Sequence, residues 1–176
     1  LQSIPSMDLG VRNIPGSYFR IEADPEASSV TRELMKALGG IELKMPMWGS
    51  DKGSAALYHA GAVAVSNFFV ALVDFGLRYY QALGADKEEA LKAVLPLIKG
   101  TLANIESAGV PEALTGPIMR GDVETVKGHL QAMSERAPEL LPLYRELARH
   151  TVMVAQDKKS VSPQTAVDIQ KLMEHE

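Results

Sequence analysis

One stretch constrains the fold of this chain more than any other: residues 54–83, SAALYHAGAVAVSNFFVALVDFGLRYYQAL. Small and apolar side chains dominate it and no proline interrupts it, which predicts a single helix about 45 Å long at a rise of ~1.5 Å per residue. The preceding segment 45–54, MPMWGSDKGS, combines proline, serine and two glycines and is typical of a hinge. Everything after this hinge has a helical pattern, so the sequence predicts a mainly α fold.

Before the hinge, the chain carries strand and helix signals in turn. Residues 17–23 alternate apolar and polar side chains and are rich in aromatic and β-branched residues, which predicts a strand. Asp24 before a proline is a helix start, and the glycine pair at Gly39 is a stop. Residues 41–46 then predict a second short strand. This strand-helix-strand unit is too small to bury its own faces, and it is typical of the trailing edge of a larger α/β sheet.

Caps and prolines divide the remainder into shorter helices. The expected helices span about residues 87–108 with a kink or break at Pro96, 123–135 after the cap Asp122, 138–157, and a last short helix after the cap Ser162.

Two domains are therefore expected. Residues 1–48 would be the trailing strand-helix-strand of a truncated Rossmann domain, and residues 49–176 an all-helical domain for dimerisation and substrate binding. The chain opens on Leu1, and its first residues show no element start of their own, so a longer protein is expected to precede it.

The composition excludes several classes of protein. The chain is 46% hydrophobic, as in a globular protein, and its net charge of −4 argues against non-specific binding of nucleic acid or anionic membranes. No run approaches 18 uninterrupted apolar residues, so no membrane-spanning segment is expected. The absence of cysteine excludes disulfides, thiolate zinc sites and cysteine nucleophiles, and it fits a cytoplasmic location.

A stripe of polar residues lies within the otherwise apolar helix 54–83. At about 100° per residue, His59 and Ser66 share one face, and Asn67 lies on its shoulder. A histidine in such a helix is more often a core residue bonded to a neighbouring carbonyl, and serine or asparagine often bond locally. A Ser-His hydrolase pair is excluded, because His59 and Ser66 stand roughly 10 Å apart along the axis. Both can still contact the two ends of one small ligand.

Segment 114–122, LTGPIMRGD, holds the second candidate group, Thr115 and Arg120. Its glycines and proline predict a loop between helices. The loop is either a simple turn before the cap Asp122 or a functional loop in which Arg120 meets an anionic substrate or a cofactor phosphate. No histidine has a partner at metal-ligand spacing, so no metal site is expected. No glycine-rich phosphate-binding loop occurs in the chain.

Several segments together resemble a known family: PGSYFRIEADPE, LYHAGAVAVSNFFVALVD, LPLIKGTLANI and ALTGPIMRGDVETVKGHL. They are similar to the C-terminal part of Rossmann-type oxidoreductases whose helical half is a domain of unknown function. That domain is in turn similar to the C-terminal domain of the 6-phosphogluconate dehydrogenase superfamily, which includes ketopantoate reductase and pyrroline-5-carboxylate reductase. The resemblance extends to about residue 157, and the tail is unmatched.

The resemblance implies a two-domain oxidoreductase that uses NADP or NAD, with its nucleotide-binding portion upstream of this chain. It also implies a small-molecule substrate in the interdomain cleft and a homodimer formed through the helical domains. His59 would transfer a proton, Ser66 and Asn67 would bind the substrate, and Thr115 and Arg120 would close the cleft. The chain alone is expected to be inactive.

The hydroxyacid dehydrogenases of that superfamily carry a lysine four residues before the asparagine. Here Val63 occupies that position, so no lysine can serve as the general acid. His59, one turn earlier, is the natural replacement, because imidazole exchanges a proton near neutral pH.

Two other functions remain open from the residues alone. One is a non-catalytic dimerisation module, in which the small-residue face around Gly61 packs on its twin. The other is a ligand-sensing protein that binds a small molecule in the cleft without turnover.

Overall fold

The computed structural model describes residues 6–49 and 52–174. This described part is mainly α, as predicted, with one two-stranded parallel sheet. Its elements, in chain order, are α1 Met7–Asn13, β1 Tyr18–Phe19, α2 Pro25–Ala37, β2 Ile41–Glu42, α3 Lys52–Val65, α4 Asn67–Ala82, α5 Lys87–Ala108, α6 Val110–Ala113, α7 Pro117–Arg120, α8 Val123–Arg136, a 3₁₀ turn Pro138–Leu140, α9 Leu141–Asp157 and α10 Pro163–Leu172.

The chain divides into two compact units, one up to Leu72 and one from Val73 onward. The domain boundary expected after residue 48 stays a prediction. Ser50, which was expected to belong to the hinge, lies outside the described residues.

The first unit contains a strand-helix-strand arrangement with parallel strands. Tyr18 pairs with Ile41 and Phe19 with Glu42, so the chain crosses over through α2 between them. Asp24 begins α2 by accepting a hydrogen bond from the backbone N–H of Ala27 at 2.8 Å. The close approach at Gly40 requires glycine, because a Cβ there would lie 2.7 Å from the Phe19 ring.

The segment before β1 is helical, which differs from the expectation that the chain starts without an element of its own. Ser6 begins α1 by accepting a hydrogen bond from the Leu9 N–H. One serine followed by a short mixed segment is a weak signal in the sequence, whereas Asp24 before Pro25 at the start of α2 is a strong one.

The predicted helix 54–83 is interrupted at one residue. α3 ends at Val65 and α4 begins at Asn67, so Ser66 lies between two helices. The Ser66 hydroxyl donates a hydrogen bond to the Ala62 carbonyl at 2.9 Å. The Ser66 backbone N–H donates one to the Val63 carbonyl at 3.3 Å. Such local bonds by serine compete with the regular helical pattern and bend helices.

The second unit has its core among four helices near its C-terminus. α7, α8, α9 and α10 pack together. The buried residues of this core are Ile118, Val126, Ala148, Val152, Ala155, Ala166, Ile169 and Met173. Five of these eight follow residue 151, so the tail of the chain is an integral part of the fold.

α5 runs through Pro96 without ending, where the sequence predicted a kink or a break. A proline inside a helix removes one hydrogen bond, here to the Lys92 carbonyl, and the remaining turns of this 22-residue helix continue past it.

The apolar face of α3 and α4 is largely uncovered in the described chain. Leu57 is 76% exposed, Val65 79% and Phe68 63%. By length and composition the stretch Gly53–Ala82 would suffice to cross a membrane, and only 6% of its most apolar window is buried. A single stretch of this kind is weak evidence for a membrane segment.

Candidate functional site

His59 lies on α3 with its side chain exposed. The imidazole forms no hydrogen bond or ion pair with any residue in the described part of the chain, so it is not a core histidine bonded to a carbonyl. Tyr58, the preceding residue, packs edge-on against Trp48, with ring centroids 5.7 Å apart. This contact attaches the start of α3 to the segment that follows β2.

Ser66 and Asn67 form a connected pair at the break between α3 and α4. The Ser66 Oγ lies 2.9 Å from the Ala62 carbonyl and 3.0 Å from Asn67 Oδ1. Both partners are acceptors, so the single hydroxyl proton is used within the chain. Ser66 therefore offers a ligand its oxygen lone pairs, and Asn67 offers its amide nitrogen as a donor.

Asp74, which lies two helical turns beyond Asn67, is already paired with two basic side chains. Its carboxylate lies 2.6 Å from Lys87 Nζ and 3.1 Å from Arg78 Nε, which ties α4 to the start of α5. The hydrogen bonds from Lys87 and then Arg78 hold the pKa of Asp74 below its ordinary value. An aspartate paired in this way remains ionised at neutral pH and does not act as a general acid.

The segment that contains Thr115 and Arg120 is more ordered than a plain loop. Thr115 lies between the helical turns α6 and α7, and Arg120 is the last residue of α7. Lys158 at the end of α9 donates to the carbonyls of Glu112 at 2.7 Å and Leu114 at 3.0 Å. This clamp fixes the backbone just before Thr115, whose side chain is exposed.

Arg120 and Asp122 form no hydrogen bond or ion pair with each other, and the Arg120 charge acts on the Asp122 carboxylate only at longer range. The Asp122 carboxylate caps α8 by accepting from the N–H and the hydroxyl of Thr125, at 3.0 and 2.7 Å. Hydrogen bonds from the Thr125 side chain and backbone lower the pKa of Asp122, and the charge of Arg120 contributes further. Among the described residues no ion pair engages the exposed guanidinium of Arg120, which can therefore receive an anionic group.

The five candidate residues fall into two groups. His59, Ser66 and Asn67 belong to the unit that ends at Leu72, and Thr115 and Arg120 belong to the unit that begins at Val73. Each group is solvent-accessible by itself. That the two groups belong to one site stays a prediction.

Two polar arrangements were not anticipated from the sequence. Arg20 stacks on Trp48, with its guanidinium carbon 4.7 Å from the ring centroid. In the second unit, His129 Nδ1 lies 3.0 Å from the Tyr144 hydroxyl, and burial raises the pKa of nearby Tyr79 to about 12. Arg20 lies within the strand predicted for residues 17–23, and no signal in the sequence indicated that it would contact the single tryptophan. His175 lies outside the described residues.

Comparison with known proteins gives a match at the level of a family. A family model described as a domain of unknown function (DUF2520) matches residues 17–151. Neither a curated protein nor a solved structure matches the chain significantly. The matched segment includes β1, both halves of the predicted long helix and all five candidate residues, and it ends before the last turn and a half of α9.

Proposed function

This chain belongs to the DUF2520 family, and we propose that it is the C-terminal portion of an NAD(P)-dependent oxidoreductase that acts on a small metabolite. The observation that supports this best is the parallel pairing of β1 and β2 across α2. Parallel strands joined by a helix are the building unit of dinucleotide-binding sheets. A sheet of two strands has room for further strands at its edges, as the trailing part of such a domain would.

The residues of this chain do not form the nucleotide site by themselves. The turn from β1 to α2, RIEAD, is not glycine-rich, so it lacks the close backbone approach that a pyrophosphate needs. We therefore assign nucleotide binding to a preceding segment of the protein. The nicotinamide would supply the hydride chemistry, and this chain would supply proton transfer and substrate positioning.

In this proposal His59 moves the proton. Its imidazole is exposed and makes no bond to the described chain, so it can donate a proton to the substrate oxygen or nitrogen in the reducing direction and accept it back in the oxidising direction. Asn67 donates a hydrogen bond to the substrate, and Ser66 accepts one. Thr115 and Arg120 are further substrate-binding residues in this proposal.

The test uses the protein as encoded, including whatever segment precedes Leu1. Nicotinamide absorbance is followed with a panel of small carbonyl and imine compounds. We expect His59→Ala to lower kcat/KM by about 100-fold or more, the range of general acid-base catalysis. The limb of the pH profile that reports the histidine should disappear with it.

The matched control is His150→Ala, which removes an exposed histidine on α9. It should leave kcat/KM within about twofold of the wild type. An unchanged kcat/KM in His59→Ala, with a substrate that the wild type turns over, would remove His59 from the mechanism.

A second candidate function is a non-catalytic dimerisation module. The specific observation in its favour is the apolar face of α3 and α4, where Leu57, Val65 and Phe68 are mostly exposed. In this case a second copy of the chain would cover that face, and His59→Ala would change neither dimerisation nor any other function. Absence of hydride transfer from both nicotinamide nucleotides, together with a stable dimer, would favour this alternative.

A further inference from the structure

A cavity of about 430 Å³ lies in the first unit at the carboxyl ends of β1 and β2. The segments that follow the two parallel strands meet there, and in open α/β sheets this edge is where ligands bind. The volume is within the range of small-molecule pockets. Its lining includes Arg20, Ile21, Glu22, Ser28, Arg32 and Trp48.

The two arginines of this cavity differ in their surroundings. Arg32 is engaged by the Glu42 carboxylate, with Nε–Oε2 at 3.1 Å and Nη2–Oε1 at 3.2 Å, and it also bonds Ser28. Arg20, in contrast, forms no ion pair with a carboxylate in the described part of the chain. Its guanidinium instead lies over the Trp48 ring.

The Trp48 residue that contacts Arg20 is itself fixed by two neighbours. The Trp48 ring packs edge-on against Tyr58, and the backbone N–H of Trp48 donates to the Met45 carbonyl at 3.0 Å. A guanidinium held over an aromatic ring by a cation–π contact keeps its remaining N–H donors available for an acceptor. The arrangement is therefore organised before any ligand arrives.

Two buried hydrogen-bond donors at this cavity have no acceptor among the residues that the structure describes. They are Arg20 Nε and Trp48 Nε1. Buried donors in folded proteins nearly always have a partner, so two of them at one cavity require an explanation. Since both are donors, the missing partner is an acceptor.

We propose that this cavity binds a small molecule through an oxyanion, a carboxylate or a phosphate, which accepts hydrogen bonds from Arg20 and Trp48. The planar fork of a guanidinium matches both groups with two parallel bonds. Glu22 lines the same cavity and repels an anion, so the oxyanion lies on the Arg20 side. The site is separate from His59 and does not depend on the proposed redox function.

The chain contains a single tryptophan, so its fluorescence reports on this cavity alone. Inorganic phosphate and acetate are titrated separately at constant ionic strength, with chloride as the balancing ion. We expect a saturable change in Trp48 emission with at least one of them and none with chloride. Saturation by phosphate only or by acetate only identifies the preferred group. Titrations that stay linear for both anions overturn the proposal.

Three substitutions make the assignment specific. Arg20→Gln should weaken binding at least about tenfold, whereas Arg12→Gln, an exposed arginine of the same unit, should not change it. Glu22→Gln should tighten binding several-fold (about three- to tenfold), because it removes a repulsive charge. Unfolding curves confirm that each variant is folded. If Arg20→Gln is unstable, the anion affinity of Glu22→Gln still tests the site. Wild-type affinity in a folded Arg20→Gln, or weaker binding by Glu22→Gln, contradicts the site.

Discussion

At Gly121 the backbone conformation and a neighbouring side chain together disfavour any larger residue. Its φ of +67° is left-handed, and a Cβ there would lie 2.8 Å from Thr165 Cγ2 on α10. We expect Gly121→Ala to lower the free energy of unfolding by about 1–3 kcal/mol, from backbone strain and from the displaced threonine. Urea unfolding monitored by circular dichroism measures this change.

Two further variants separate the causes. Gly128→Ala changes a glycine within α8 that has nothing within 4 Å of a new Cβ, so it should stabilise the protein by up to about 1 kcal/mol. Thr165→Ser removes the clashing methyl group and keeps the hydroxyl. The double variant with Gly121→Ala should therefore recover only the steric part of the lost unfolding free energy. A Gly121→Ala protein as stable as the wild type would contradict both contributions.

The surroundings of the candidate residues were only partly predictable from the sequence. The local bonding of Ser66 follows from the short reach of a hydroxyl to the preceding turn, and it was one of two alternatives that the sequence left open. The exposure of His59 could not be predicted, since the same apolar neighbours occur in a buried helix and in an uncovered one. The Arg20–Trp48 stack joins residues 28 positions apart and depends on how the chain folds back after β2.

At the scale of elements, α10 provides a test of what the unmatched tail contributes. Ile169 is fully buried in the core of the second unit, whereas Val167 on the same helix is 42% exposed. We expect Ile169→Ala to cost about 2–5 kcal/mol in unfolding free energy, because it leaves a cavity in a close-packed core. Val167→Ala is the matched control and should cost less than about 1 kcal/mol.

The outcome bears on the extent of the fold. If Ile169→Ala were as stable as Val167→Ala, then α10 would be an appendage that the core does not need. A large loss would mean that the fold extends past residue 151, where the family match ends, and that a shortened chain cannot complete the second unit.

The cap of α8 predicts a pH dependence. Hydrogen bonds from Thr125 place the pKa of Asp122 below its ordinary value of 3.8. The folded pKa is thus lower than the unfolded one, so the stabilisation is complete above about pH 4 and is lost as the pH falls through the folded value. We expect the Tm advantage of the wild type over Asp122→Asn to be present at pH 6 and to shrink towards pH 2.

Thr125→Val provides the control for this effect. It removes the side-chain donor that contributes most to the shift and leaves the backbone cap. In that background the pH-dependent part of the Tm difference between aspartate and asparagine should be smaller. A difference that stays constant from pH 6 to pH 2 would show that the Asp122 charge does not stabilise the helix.

Element positions were predictable wherever one residue type determines the backbone. Asp24, Asp122 and Ser162 each begin a helix as predicted, because a side-chain oxygen there satisfies N–H groups of the first turn. The two strands are shorter than predicted, and within the described residues each pairs only with the other. The break at Ser66 was missed because the residues on both sides of it follow one continuous helical pattern in the sequence.

At the scale of the whole molecule, the uncovered face of α3 and α4 is where we expect a partner to bind. Exposed apolar patches of this kind mark interaction sites. We expect a homodimer in which this face packs against a second copy of the chain. A membrane surface is the competing occupant, and added lipid vesicles in a flotation assay distinguish the two.

Gly61 makes the dimer testable at one position. A Cβ at Gly61 meets nothing within 4 Å in the folded chain, so a larger side chain there causes no clash within the chain. If the face packs closely on a second copy, Gly61→Leu should raise the dimer dissociation constant by tenfold or more (about 1.4 kcal/mol or more) while the helix content stays unchanged. Sedimentation equilibrium measures this constant.

Gly128→Leu is the matched control, because Gly128 also lies within a helix with open space around it. It should leave the dissociation constant unchanged. If both variants dimerise like the wild type, the small-residue face is not the interface. If neither the wild type nor the variants dimerise and the protein floats with vesicles, lipid covers the face instead. Loss of the dimer in Gly61→Leu alone places the second copy directly on α3, within one turn of His59, so that assembly and the proposed catalytic residue would share one helix.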